Sequence, residues 1–158
     1  MSNWPRQSNL TAFFGPAGEP ACTTGSVRLP FPFVIAWDTS QRITRFSCHQ
    51  KVAADLTAIF AEAAAHYGEK QFRALRLDRF GGCYNYRKMR GGSRLSTHAW
   101  GIAVDLDPER NGLKVRAPKA AFSAEAYVPF WNIVEAHGAV SLGRARDYDW
   151  MHFQFARL

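Results

Sequence analysis

Between His49 and Tyr67 the apolar residues Val52, Leu56, Ile59, Phe60 and Ala63 recur at helical spacing, with alanines filling the gaps. That spacing predicts an amphipathic helix, carrying His49 and His66 and ended by Gly68. From Ala74 to Phe80 apolar and polar side chains alternate, which suits a half-buried strand closed by Gly81-Gly82. A second helix is predicted from the N-cap candidate Ser123 through Tyr127, Phe130, Trp131 and Val134 to Gly138. Pro129 fits only a first helical turn, which moves the true start further along. Two short segments, Ile102 to Asp107 and Met151 to Phe155, alternate with period two.

The remaining chain is punctuated. Residues 1–48 carry Phe14-Gly15-Pro16-Ala17-Gly18-Glu19-Pro20 and Leu29-Pro30-Phe31-Pro32-Phe33, composition that opposes regular elements. An extended arm packed on the core is expected there, with a short strand near Phe33 to Trp37. Tyr84 to Leu95 reads as a flexible loop in which Arg87, Lys88, Arg90 and Arg94 lie among glycines and a serine. No repeat or linker divides the chain, so residues 1–158 are expected to form a single α+β domain.

Composition narrows the picture. At 158 residues with 47% hydrophobic and 14% aromatic content, the chain can bury one core but not two. Twenty Lys and Arg against 13 Asp and Glu leave a charge of +7, which favours a polyanionic partner such as nucleic acid, an anionic membrane or acidic wall polymer. No helix-turn-helix or aromatic-basic RNA motif accompanies the charge, so nucleic acid is not the expected partner. The N-terminus lacks the basic start, apolar run and cleavage site of a signal peptide, and a cytoplasmic origin is expected. No apolar run approaches the roughly 20 residues that span a bilayer. Cys22, Cys48 and Cys83 are too few and too scattered for a disulfide framework or a thiolate zinc knot.

The candidate chemistry lies in the two alternating segments and the turn before the first of them. Period two turns Asp105 away from the Ile102, Val104 and Leu106 face, and turns His152 away from the Met151, Phe153 and Phe155 face. Paired antiparallel, the strands would bring Asp105 and His152 together, and His98, turned by Gly101, could close a third corner. Two imidazoles and a carboxylate can hold a metal and leave a coordination position for water, with Asp149 three residues before His152 able to take a proton. His49, His66 and His137 lack such settings and are expected to be structural or exposed.

At these residues the chain resembles a known family. Ser-x-His-x-x-Gly-x-Ala-x-Asp at residues 96–105, followed by Asp-x-x-His at 149–152, is similar to the signature of the VanY-like zinc peptidases. These include D-alanyl-D-alanine carboxypeptidases and dipeptidases and the L-alanyl-D-glutamate endopeptidases of phage endolysins. The resemblance implies His98, Asp105 and His152 as Zn2+ ligands, Asp149 as catalytic base, and Arg87 as a substrate-holding arginine and candidate second electrophile for a developing oxyanion, with Ser96 a further substrate contact. Many relatives carry Glu at the base position, and Asp147 is a rival for that role.

The implied fold is the small antiparallel sheet flanked by helices that D,D-peptidases share with Hedgehog domains. The implied substrate is peptidoglycan, cut at the L-Ala-D-Glu bond by a monomeric enzyme acting at the cell wall after holin release. A D-alanyl-D-alanine carboxypeptidase or dipeptidase, and a non-catalytic zinc-binding phage module, are the alternatives.

Overall fold

A computed structural model describes residues 3–158. Six strands form one mixed sheet in the order β2-β1-β3-β4-β6-β5, where β1 is Gly25–Ile35, β2 Asp38–Cys48, β3 Arg79–Gly82, β4 Ala103–Leu106, β5 Val140–Ser141 and β6 His152–Gln154. Every neighbouring pair is antiparallel except β1 with β3, which run parallel through Val34 and Ile35. Four helices accompany the sheet: α1 Leu10–Phe14, α2 Ala53–Ala74, α3 Val128–Ala136 and α4 Leu142–Arg146.

The core forms between one sheet face and helices α2 and α3. Leu56, Ile59, Phe60 and Ala63 of α2 are fully buried, as are Phe130, Val134 and Phe153. The Phe153 ring lies 6.4 Å from Phe60, 6.1 Å from Phe130 and 6.4 Å from Trp131. A buried phenylalanine of this kind contributes roughly 1.5–3 kcal/mol relative to exposure. Its neighbours His152 and Gln154 must then face the other side of the sheet, because side chains alternate. Packing of Phe153 therefore fixes where those two polar groups point.

Several sequence expectations are revised. Residues 25–48, expected to belong to an extended arm with one short strand, form the long β1–β2 hairpin. Pro30 and Pro32 are tolerated because the pairing shifts register between Arg28 and Phe33, where a missing N–H disrupts no ladder. Gly68 does interrupt α2, with φ 77° and ψ 157°, but the helix resumes beyond it and absorbs Ala74. The strand expected from Ala74 starts only at Arg79, after a turn in which Arg76 has φ 58°. The second helix begins at Val128, with Pro129 in its first turn, preceded by two short 3-10 turns. Among the described residues no helix is long and apolar enough to cross a membrane.

Two histidines away from the candidate site, His49 and His137, hold the frame. His49 precedes α2 rather than lying on it; it is buried, with Nε2 2.8 Å from the Phe14 carbonyl and Nδ1 accepting from Lys51 N. His137, just past α3, is clamped between two carboxylates of α2, 2.9 Å from Asp55 and 2.5 Å from Glu62. Burial opposes its charge, but the hydrogen bonds and charges of Asp55 and Glu62 outweigh that and raise its pKa.

A raised folded-state pKa stabilises the protein fully below the unfolded value of about 6.5 and loses that contribution as pH rises through the folded value. The melting temperature of the unaltered chain should therefore exceed that of His137→Gln most near pH 6, with the margin shrinking towards pH 9. A margin independent of pH across that range would contradict the clamp.

Candidate metal centre

Asp105 and His152 are direct cross-strand partners in the β4–β6 pair. Their side chains meet on the face opposite the core, with His152 Nδ1 3.1 Å from Asp105 Oδ1. His98 arrives from a 3-10 turn, Thr97–Trp100, capped by the Ser96 hydroxyl, which accepts from His98 N at 3.2 Å. Its Nε2 stands 3.1 Å from Asp105 Oδ2. One ligand atom from each of His98, Asp105 and His152 can be chosen so that all lie within 4.8 Å of one another. The structure thus brings together the three residues expected from the sequence.

Two local constraints make this convergence possible. Gly101 ends the 3-10 turn at φ 70°, and a Cβ there would stand 2.2 Å from the Cys22 carbonyl oxygen, so no other residue fits. Gly81 lets β3 press against Asp105, since a Cβ would lie 3.0 Å from the Asp105 carbonyl oxygen. Alternation alone would have placed Asp107 beside Asp105. Instead Asp107 has φ 44° and its buried carboxylate is turned into an ion pair with the partly exposed Arg110.

Hydrogen-bond partners set which ring nitrogens are free. His98 Nδ1 is 2.6 Å from the Cys83 carbonyl, an acceptor only, so Nδ1 carries the proton and Nε2 offers its lone pair. That Nε2 is buried and has no hydrogen-bond partner. The half-buried Asp105 Oδ2 stands 3.1 Å from it, so a ring lone pair and a carboxylate oxygen face each other, an arrangement that a shared cation satisfies. The donor set, two imidazoles and a carboxylate, fits a divalent metal such as zinc.

The electrostatics agree with a cation site. Burial would raise the Asp105 carboxyl, but His98 and His152 more than offset it and hold the group below the ordinary carboxylate range. Burial also opposes charge on His152, yet its hydrogen bond to Asp105 and the charges of Asp105 and Asp149 raise its pKa. Cys83, although close by, does not join the converging ligand atoms, and burial pushes its thiol well up.

The two candidate bases separate clearly. Asp149 adopts φ 54°, its N–H bonds the Leu113 carbonyl, and its Oδ2 lies 3.8 Å from His152 Nδ1. Burial raises its pKa, against the lowering effect of His152. Asp147 points elsewhere: its Oδ1 accepts from Ala117 N and Trp150 Nε1, both at 2.8 Å, and these bonds lower its pKa. Asp149 lines a cavity of about 250 Å³ above the three ligands, whereas Asp147 does not.

Arg87 and Ser96 also line that cavity. Ser96 N donates to the Arg87 carbonyl, so the basic loop is tied to the turn that carries His98. Sequence reasoning assigned nothing to the N-terminal segment, yet Gln7 lines the same cavity, 2.7 Å through its N–H from the Arg157 carbonyl. No local pattern marks a glutamine that reaches its site only through the fold.

A family model described as D-alanyl-D-alanine carboxypeptidase matches residues 90–155, less than half of the chain. The matched stretch contains His98, Asp105, Asp149 and His152, and it supports a peptidase of that family. Arg87 lies just outside it. No curated protein and no solved structure matches the chain.

Zinc binding, measured by equilibrium dialysis, should fall by more than about 100-fold in His98→Ala and His152→Ala and stay unchanged when the exposed His66 is replaced by Ala. Affinity should weaken as pH is lowered through the raised His152 pKa, because the metal displaces a proton there. Full affinity in either ligand variant would remove the site.

Proposed function

We propose that the chain is a zinc-dependent peptidoglycan peptidase that cuts a stem-peptide bond, with the L-alanyl-D-glutamyl bond as its target, as in phage endolysins acting at the cell wall. The observation that carries this reading is the half-buried Asp149, its pKa raised, beside three converging ligand residues, in a cavity bordered by Arg87. A zinc ion held by His98, Asp105 and His152 would supply Lewis acidity, activating water and polarising a peptide carbonyl.

The protein groups then divide the work. Asp149 accepts the proton of the attacking water and delivers it to the departing amine, a role suited to a carboxyl whose pKa burial has raised. The positive charge of Arg87 counterbalances a developing oxyanion or holds a substrate carboxylate. Ser96 keeps a hydroxyl proton to offer the substrate while its oxygen caps the His98 turn. Met89, Leu113, Leu142 and Met151 give the cavity an apolar wall for a small side chain such as that of alanine.

A longer substrate than a free dipeptide is supported by the surface beyond the cavity. Past Gln7, Met89 and Arg146 the cavity joins a wider groove that includes Arg6, Arg94 and the exposed ring of Tyr86. Among the described residues no Asp or Glu lines that groove. It therefore suits a carboxylate-bearing peptide running onward from the metal centre. The description of the matching family favours a second reading, D-alanyl-D-alanine carboxypeptidase, in which only the terminal residue is released.

Mass spectrometry of purified peptidoglycan incubated with the zinc-loaded protein separates these readings. New D-glutamyl N-termini are expected; released D-alanine would favour the second reading, and no fragments at all would contradict both. In the same assay Asp149→Asn should bind zinc normally but lose about 10²-fold or more in kcat. Asp147→Asn should stay near full activity, because an amide oxygen still accepts from Ala117 N and Trp150 Nε1. The reverse pattern would transfer the base role to Asp147.

A further inference from the structure

On the face of His152 away from the proposed metal lies a buried polar chain that neither the ligand motif nor the mechanism uses. His152 Nε2 is 2.9 Å from Gln154 Oε1, and the Thr97 hydroxyl donates to the same oxygen at 3.2 Å. The Gln154 amide nitrogen donates to Gln7 Oε1 at 3.0 Å and to the Ala156 carbonyl at 3.2 Å. Gln154 is 1% exposed, and all four of its hydrogen-bonding positions are filled.

The direction of this chain is fixed at one end. The Ala156 carbonyl can only accept, so the Gln154 nitrogen must face it and the Gln154 oxygen must face His152. An oxygen there draws the proton of the neutral imidazole to Nε2, against the Asp105 carboxylate, which at 3.1 Å draws it to Nδ1. The lone pair is then left on Nδ1, the nitrogen that faces Asp105. Without Gln154 the Asp105 carboxylate would hold the proton on Nδ1 and block the ligand nitrogen, since Thr97 Oγ1 is 3.5 Å from Nε2, at the limit of a hydrogen bond.

We propose that Gln154 is a positioning residue for the metal centre: it holds His152 in the tautomer that presents Nδ1, and Gln7 of the N-terminal segment holds Gln154. A group that orients a ligand imidazole in this way is commonly worth 10- to 100-fold in metal affinity. The N-terminal segment thereby acts on metal retention from outside the region that carries the ligands. Its docking is independent of Gln7, since Trp4 Nε1 donates to the His137 carbonyl and Arg157 N donates to the Pro5 carbonyl. The inference rests on the metal-binding reading given above.

The test uses the full chain and its Gln154→Met, Gln154→Glu and Gln7→Ala variants. Zinc affinity is measured by competition with a chromophoric chelator, and folding by melting of the metal-free proteins. Gln154→Met should lose about 10- to 100-fold in affinity. Gln154→Glu, which keeps an oxygen opposite Nε2, should retain more affinity than Gln154→Met. Gln7→Ala, a milder change on an intermediate-exposure side chain, should lose several-fold without losing its fold. Nitrogen-15 NMR of the metal-free protein should show a larger share of the Nε2-protonated neutral His152 in the unaltered chain than in Gln154→Met, where Asp105 draws the proton to Nδ1.

Unchanged zinc affinity in both Gln154→Met and Gln7→Ala, or an unaltered His152 tautomer in Gln154→Met, would overturn the proposal. If Gln154→Met does not fold, Gln7→Ala decides. Should the unaltered chain bind no zinc, the metal-binding reading fails, while the tautomer measurement still judges Gln154 on its own.

Discussion

Everything at the centre depends on one cross-strand pairing, Asp105 opposite His152 in the β4–β6 ladder. A slip of β6 by one residue in that register would turn His152 towards the core, away from Asp105, and bring Phe153 out. The register is secured from the apolar side, where Phe153 is enclosed by Phe60, Phe130 and Trp131. Helices α2 and α3 thus specify the polar face without touching it. The core and the site are two faces of one alternating pattern.

On that polar face the carboxylate lies between two imidazoles, and the surroundings decide what each ring can offer. The Cys83 carbonyl leaves His98 Nε2 free, and Gln154 leaves His152 Nδ1 free. The two rings stand nearly perpendicular, with centroids 5.0 Å apart. Both free nitrogens face Asp105, and one of them is buried without a hydrogen-bond partner. Such a cluster of acceptors is costly to bury unless a proton or a cation joins them. The cost is a reason to read the cluster as a binding site rather than as a structural polar core.

The sequence made the ligands legible because they lie in short strands whose period-two pattern places them on one face. Asp149 was legible through its spacing from His152, but its rivalry with Asp147 was not decidable from spacing. Two left-handed residues and the bonds from Ala117 and Trp150 turn the neighbouring carboxylates in different directions. The β1–β2 hairpin was hidden by Pro30 and Pro32, which argue against a strand until a shift in register removes the need for their N–H groups. The strand expected from Ala74 lost that residue to α2 and Leu75 to Asp78 to the turn that ends the helix, since alternation over a few residues cannot outweigh a helix already propagating. The contact between Gln7 and Gln154 joins residues 147 positions apart and leaves no local trace.

The central claim is that His98, Asp105 and His152 form one metal centre through a particular pair of ring nitrogens. Anomalous diffraction at the zinc absorption edge, on crystals of the zinc-loaded protein, tests it most directly. The account predicts one strong peak bounded by His98 Nε2, His152 Nδ1 and an Asp105 carboxylate oxygen, at about 2.0–2.2 Å from each. A peak elsewhere, or ligation through His152 Nε2, would contradict it.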